Sequence, residues 1–498
     1  VYKRQALSRA ATGIVCSILV FFFAGMAHAS GQPDLEARVD DLVAYLIENL
    51  DVVPGYSIAV ATPEGTVFAK GYGVTAEAGG PPMTADTQVY IASSTKSFTG
   101  TAVASLARKG LIDLDTSIAE YVSQLEGSAA GRATLRRLLS HTHGLDEDAL
   151  TWRTAFSGQY TEDTLLNLVG DLAYSESPGE FDYSNTGYVI ASLVLEHRFN
   201  KSWKDIVEEE VLAPAGMSST TAYVSALDER LARPLTWFGV KNQFPLSKQD
   251  NTMHAAGGHF STANDMAKWL HAQLSDGKVN GEQVYAPGLV ASTHAPSASL
   301  DREFYTYRRH HYGLGWYQAD YSGHLMLHQF GSFAGYRSHV SFIPELGIGV
   351  AVLINDASRP GFYLPDLIAN VVYDLAAGAS ASEDNYRDEV AEIAKMIAPM
   401  AGRTPPERPR NEPDDEARFA GSYLSEHFGT ISFSYSEGEL VATFGNLISD
   451  TTYKENGAIR MELVPFEGTL GKFVESEDGE VVGFDYRNAY YQRVGPTP

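Results

Sequence analysis

The strongest constraint on how this chain can fold is a pair of hairpin patterns separated by a long helical stretch. Near the start, Tyr56, Ile58 and Val60 alternate toward a Pro63-Glu64-Gly65 turn, and Val67 to Tyr72 returns as a second strand. Much later, Val340 to Ile343 and Ile348 to Ile354 flank a turn at Pro344 to Gly347, and a helical pattern follows from about Asp366 to Ala376. Between the two lies a mainly helical region, Phe98 to Leu274. Strands at both ends of such a segment bury their apolar faces most readily by joining one sheet and covering it with the intervening helices. The expected fold for residues 34–378 is therefore α/β: an antiparallel sheet flanked by helices, with a mainly helical subdomain. Leu35, Val39, Leu42, Val43, Leu46 and Leu50 recur at helical spacing ahead of the first strand, with Asp34 placed as an N-cap.

The pattern changes after this domain. Residues 379–416 read as a connecting helix, Tyr386 to Met400, followed by a linker in which Pro405, Pro406, Pro409 and Pro413 stand among charges. Residues 417–498 alternate in short runs: Thr430 to Tyr435, Leu440 to Phe444, Arg460 to Val464, Lys472 to Glu475 and Val481 to Tyr486. Turns such as Ser436-Glu437-Gly438 separate them, so a small antiparallel β-domain is expected.

The first 29 residues read as a signal peptide. Lys3, Arg4 and Arg9 form a basic head, Gly13 to Gly25 an apolar run, and Ala27-His28-Ala29 a small-x-small cleavage site. The run is too short to span a membrane comfortably. Export to the periplasm or beyond is the expectation, with no stable membrane span after cleavage. The one cysteine, Cys16, lies inside the apolar run, so the remainder has no thiol chemistry and no disulfide. A net charge of −25 disfavours nucleic acids and anionic membrane surfaces as partners. Oligomeric state is not readable from the sequence.

Chemistry enters at Ser93-Ser94-Thr95-Lys96. It follows the apolar run Val89 to Ala92 and opens a helix toward Lys109, with Gly110 placed to end it. Positions i and i+3 share a helix face, so Ser93 and Lys96 sit together one turn apart. Serine is a poor nucleophile without an adjacent base, and a desolvated lysine can lose its proton near neutral pH. The S-x-x-K letters alone decide little: Ser275-Asp276-Gly277-Lys278 matches them as a surface turn. Tyr183-Ser184-Asn185 adds a phenol able to carry a proton and an amide able to hold a substrate. Tyr486-Arg487-Asn488 repeats its pattern in the β-domain. His141 and His143 read as turn residues. The pairs His310-His311 and His324/His328 lack acidic or cysteine companions at ligand spacing, so no metal is expected. No phosphate loop or dinucleotide fingerprint occurs, and no cofactor is expected.

From about Leu35 to Gly378 the chain resembles the serine β-lactamase-like family, the group of class C β-lactamases, D-alanyl-D-alanine carboxypeptidases and related esterases. The resemblance rests on both motifs, on Thr134 to Leu145, on Ala256-Gly257-Gly258-His259 through Met266, and on Tyr312-Gly313-Leu314-Gly315-Trp316. The C-terminal β-domain resembles lipocalin-like appendages of such hydrolases. The family's third motif, K-T-G or H-x-G, is altered here to Leu327-His328-Gln329-Phe330-Gly331-Ser332. Counting back from Gly335-Tyr336 puts Gln329 at the Lys/His position and Gly331 at its glycine. Counting from His328 requires one extra residue. A strand alternates faces, so His328 and Gln329 cannot both enter one pocket without a bulge.

The resemblance implies covalent acyl transfer with Ser93 as nucleophile, Lys96 and Tyr183 sharing the proton work, and Asn185 positioning substrate. It also implies an oxyanion hole from the Ser93 and Ser332 amides. Loss of the third-motif cation points away from carboxylate-bearing substrates toward a neutral ester or amide. The altered motif equally suits a non-catalytic penicillin-binding-like sensor or scaffold, and adduct formation and turnover discriminate the two.

Overall fold

The computed structural model describes residues 32–77, 79–145, 148–175, 177–378, 382–403, 416–453 and 457–495. Residues 1–31, which include the stretch read as a signal peptide, and linker residues 404–415 lie outside the described residues.

The two distant hairpins do meet in one sheet. Its strands are β1 (Gly55–Thr62), β2 (Gly65–Gly73), β3 (Ala298–Phe304), β4 (Tyr307–Tyr312), β5 (Tyr317–Tyr321), β6 (His324–Phe333), β7 (Tyr336–Ile343) and β8 (Ile348–Ile354). They lie in the order β2-β1-β8-β7-β6-β5-β4-β3, with every neighbour antiparallel. β1 closes against β8 with Val60 opposite Val350. Both strands are apolar on both sides, as strands sandwiched between helix layers must be. One face is covered by α1 (Gln32–Leu50) and the helices Leu364–Ala376 and Ser382–Ile397, the other by α2 (Thr95–Arg108) and the helix Ala263–Leu274. The helical subdomain fills the chain between β2 and β3.

One sequence expectation is corrected: the first helix begins at Gln32, ahead of the supposed cap at Asp34. Ala298 to His311, for which the sequence pattern indicated no strand, forms most of β3 and β4, which extend the sheet beyond β6. Three consecutive charged residues, Asp301-Arg302-Glu303, hide the alternation there, because the edge strand keeps all three exposed.

The C-terminal domain is a closed antiparallel barrel of eight strands running from Gly421–Ser425 to Ala489–Gly495. Five were legible as runs. Gly421–Ser425, Leu447–Tyr453 and Ala489–Gly495 were not. Closure leaves no open edge and turns Tyr423, Ile431, Phe433, Phe444, Phe484 and Tyr491 inward. The same apolar cluster takes in Ala149, Trp152 and Ala334 of the main domain.

Candidate active site

The site is built where β6, the start of α2 and the Tyr183 loop converge. Val89–Tyr90 pairs with Phe260–Ser261, and the chain then turns sharply into a 3₁₀ turn, Ala92–Ser94, that continues as α2. The sharpness is recorded at Ala92, whose φ of +44° is uncommon for any residue but glycine. Ser93 follows immediately and stays partly exposed.

Lys96 lies one turn on and is fully buried. Its Nζ is 3.1 Å from Ser93 Oγ and donates to Asn185 Oδ1 and to the Ala256 carbonyl, each at 2.8 Å. Its three polar neighbours include no carboxylate. Desolvation therefore holds the amine well below the ordinary lysine range. The segment after His254 wraps this lysine: the Ala255 carbonyl accepts from Thr99 Oγ1, and the His259 N–H donates to Thr95 Oγ1.

Tyr183 and Asn185 arrive on the loop leading into the helix Thr186–Phe199. That loop is held from beneath by His141. The His141 carbonyl accepts from the Asp182 N–H, and its Nδ1 accepts from the Ser184 N–H at 3.2 Å. The imidazole lies 4.4 Å, centre to centre, from the Tyr183 ring. Burial, with Lys96 and His143 nearby, keeps His141 neutral, which leaves Nδ1 free to accept. Lys96 Nζ in turn sits 4.8 Å from the centre of the Tyr183 ring. Burial pushes the Tyr183 phenol up to about 12, with Ser93 and Arg309 opposing part of the shift. The phenol is a proton donor throughout the neutral range.

In β6 the two candidate residues point opposite ways. Gln329 and Gly331 are paired with Val340 and Ser338, on the face toward α2. His328 is paired with Ser341 on the other face, fully buried, where its Nε2 accepts from Arg309 Nε at 3.1 Å. Gln329 thus shares the motif face with Gly331, and His328 does not. Gln329 donates to the Tyr312 hydroxyl and the Gly315 carbonyl, at 2.9 and 3.2 Å. At Gly331 a Cβ would stand 1.9 Å from the Ile91 carbonyl oxygen, so only glycine lets β6 approach the Ser93 turn this closely. Ser338 Oγ bonds both Ser94 Oγ and the Ile91 carbonyl and ties the same turn to β7. Ser332 follows Gly331 and is exposed.

The structure thus brings Ser93, Lys96, Tyr183 and Asn185 together, with Gly331 packed against the Ile91 carbonyl of the same turn and the exposed Ser332 next in the strand. Gln329, expected to touch substrate, is instead fully buried, its amide taken by Tyr312 and Gly315. Sequence reasoning gave no site role to Ala256, whose carbonyl accepts from Lys96 and so carries no side-chain signal. Among the described residues no three His, Cys, Asp or Glu gather where they could hold a metal, and no helix is long and apolar enough to cross a membrane.

The chain belongs to the Beta-lactamase family, whose model matches residues 42–373. Protein flp of Staphylococcus aureus (strain MW2) is 24% identical over 346 residues, covering 68% of this chain and 66% of that protein. The chain thus matches just under two thirds of that relative's length. Penicillin-binding protein 4 of Amycolatopsis lactamdurans is 26% identical over 399 residues, 75% of this chain and 94% of its own. The octameric penicillin-binding protein homologue from Pyrococcus abyssi superposes with a TM-score of 0.60 at 21% identity, covering 92% of this chain and 99% of that one.

Proposed function

We propose that this protein is a serine hydrolase that forms a covalent acyl-enzyme on Ser93 and cleaves an ester, amide or peptide bond. The observation that carries the reading is the Lys96 amine: fully buried, without a carboxylate, and 3.1 Å from Ser93 Oγ. A neutral amine has two N–H bonds, and Asn185 Oδ1 and the Ala256 carbonyl take both. The lone pair is then left facing Ser93. That is the geometry of a general base.

As Ser93 Oγ adds to the substrate carbonyl, its proton passes to Lys96. Tyr183, a phenol at neutral pH, hands a proton to the departing group, and Lys96 returns one to the phenol. Water then enters by the same relay and releases the acid. The Ser93 and Ser332 amides are assigned to the oxyanion, a role supported by the contact of Gly331 with the Ile91 carbonyl. Losing one such donor costs on the order of 3–4 kcal/mol of transition-state stabilisation. Asn185 is assigned to orient both Lys96 and the substrate. Substrates of this class are small molecules or peptides, met in the periplasm or outside the cell if the N-terminal stretch acts as a signal.

Ser93→Ala should abolish labelling by a fluorophosphonate probe while leaving circular dichroism unchanged. Persistent labelling of the variant would refute the assignment. Mass spectrometry with a chromogenic ester tests the rival sensor reading: turnover supports the enzyme, and a permanent adduct supports the sensor.

A further inference from the structure

A cavity of about 300 Å³ lies beside the strand that leads into Ser93, and it shares no lining residue with the site described above. The volume is at the low end for small-molecule pockets. Its inner wall is backbone ladder: Gln88 precedes the strand Val89–Tyr90, and Thr221 exchanges both main-chain hydrogen bonds with Phe260, which stands opposite Tyr90. Its outer wall is the helix Trp203–Val207 and the wider turn Glu208–Leu212 that continues it.

The charges that line this space do not cancel. Arg230 is paired with Asp228 at 2.7 Å, and the buried Lys204 donates to the Asp250 carbonyl and lies 4.5 Å from the Tyr223 ring centre. Asp205 accepts from the Tyr223 hydroxyl at 2.7 Å. Glu208, exposed at the mouth, has no hydrogen-bond or ion-pair partner among the described residues. Partial burial, with Asp205 and Asp265 nearby, pushes its carboxyl above the usual range.

The inner end holds a second unmet group. His259 is fully buried, neither ring nitrogen has a partner, and burial lowers it to about 3. The imidazole is therefore neutral and keeps an unused lone pair. A buried acceptor without a donor costs free energy unless an N–H or O–H completes it. The remaining wall is rich in hydroxyls, from Ser218 to Thr221. Unmet acceptors, a surplus carboxylate and a hydroxyl-lined wall together describe a receptor for a cationic donor that also carries hydroxyls.

We propose that this cavity binds a small amino alcohol, amino sugars included, with its ammonium group on Glu208 and Asp205. The site is independent of the hydrolase reading, since it needs no chemistry at Ser93.

Isothermal titration of the full chain with ethanolamine, alaninol and glucosamine, each beside its N-acetyl twin, tests this. Acetylation removes the charge and leaves the hydroxyls. At least one amine should bind saturably at a single site, ~10- to 100-fold more tightly than its twin, the range of one charge-assisted hydrogen bond. Glu208→Gln should bring that ratio to about one, and Asp205→Asn should reduce it. Glu209→Gln should leave it unchanged, because Glu209 pairs with Lys201 outside the cavity. Bound amine should also slow hydrogen exchange at the Thr221 and Phe260 amides. No saturable binding by any of the three, equal binding of amine and twin, or a ratio that survives Glu208→Gln overturns the site. Protection confined to other segments overturns it too. If Glu208→Gln does not fold, Asp205→Asn and the exchange pattern decide, and an unchanged ratio in Asp205→Asn counts against the site.

Discussion

On the proposed mechanism the desolvated amine of Lys96 sets the pH dependence of the rate and contributes to that of stability. Its pKa is depressed in the folded protein, so it is protonated later on acidification than in the unfolded chain. Between the folded value and the ordinary lysine value the unfolded state holds more protons, and stability rises with pH. That advantage is lost as pH falls through the folded pKa. The same titration governs the base, so kcat/KM should show an acid limb that reports Lys96. A basic limb is expected only as Tyr183 ionises near 12. Lys96→Met should abolish turnover and reduce the rise of unfolding free energy with pH, leaving the part that buried Lys248 contributes. An undiminished rise, measured by urea denaturation across neutral and alkaline pH, would mean that Lys96 does not contribute to it.

Among elements, β6 has the most demanding position, since it must lie against the nucleophile turn while remaining in register with β5 and β7. Gly331→Ala places a Cβ against the Ile91 carbonyl, a backbone atom that cannot rotate away. The strand and the turn must separate, and overpacking of this kind costs about 1–3 kcal/mol. Fluorophosphonate labelling should slow by more than the stability loss explains, because the Ser332 amide moves with the strand. Labelling at the wild-type rate would show that β6 contributes no donor. The element also shows what alternation alone can resolve. His328 and Gln329 looked equivalent as letters, and only the pairing with Ser341 and Val340 separates their faces.

The barrel is joined to the main domain by a shared core as well as by polar contacts. Arg153 Nε and Nη2 donate to the His427 and Glu426 carbonyls, and Gln159 exchanges hydrogen bonds with the Thr430 backbone. Trp152 packs on Phe444 of the barrel at 5.3 Å. Ala334, from the turn after β6, joins the same cluster. Lys248 is buried against Phe333, 4.0 Å from its ring centre, and burial lowers its amine to about 7. The barrel thus buttresses the end of the strand that carries Ser332. Arg153→Ala leaves two barrel carbonyls without their donor and should destabilise the protein by about 3 kcal/mol. Scanning calorimetry should register this as a lower melting temperature, with kcat falling more than KM changes. An unchanged melting profile would make the interface incidental.

Much of this was determined by the sequence acting locally. Period-two alternation specified β1, β2, β7 and β8. Helical spacing placed Ser93 and Lys96 on one face. These signals survive because they depend on neighbours within a few residues. The tertiary structure decided the rest: the burial that lowers the pKa of Lys96, the Ala256 carbonyl beside it, the face presented by Gln329, and the pairing of Arg302 with Arg309. Each depends on backbone atoms or on residues far apart in the chain, and desolvation and cross-strand register exist only once the segments meet.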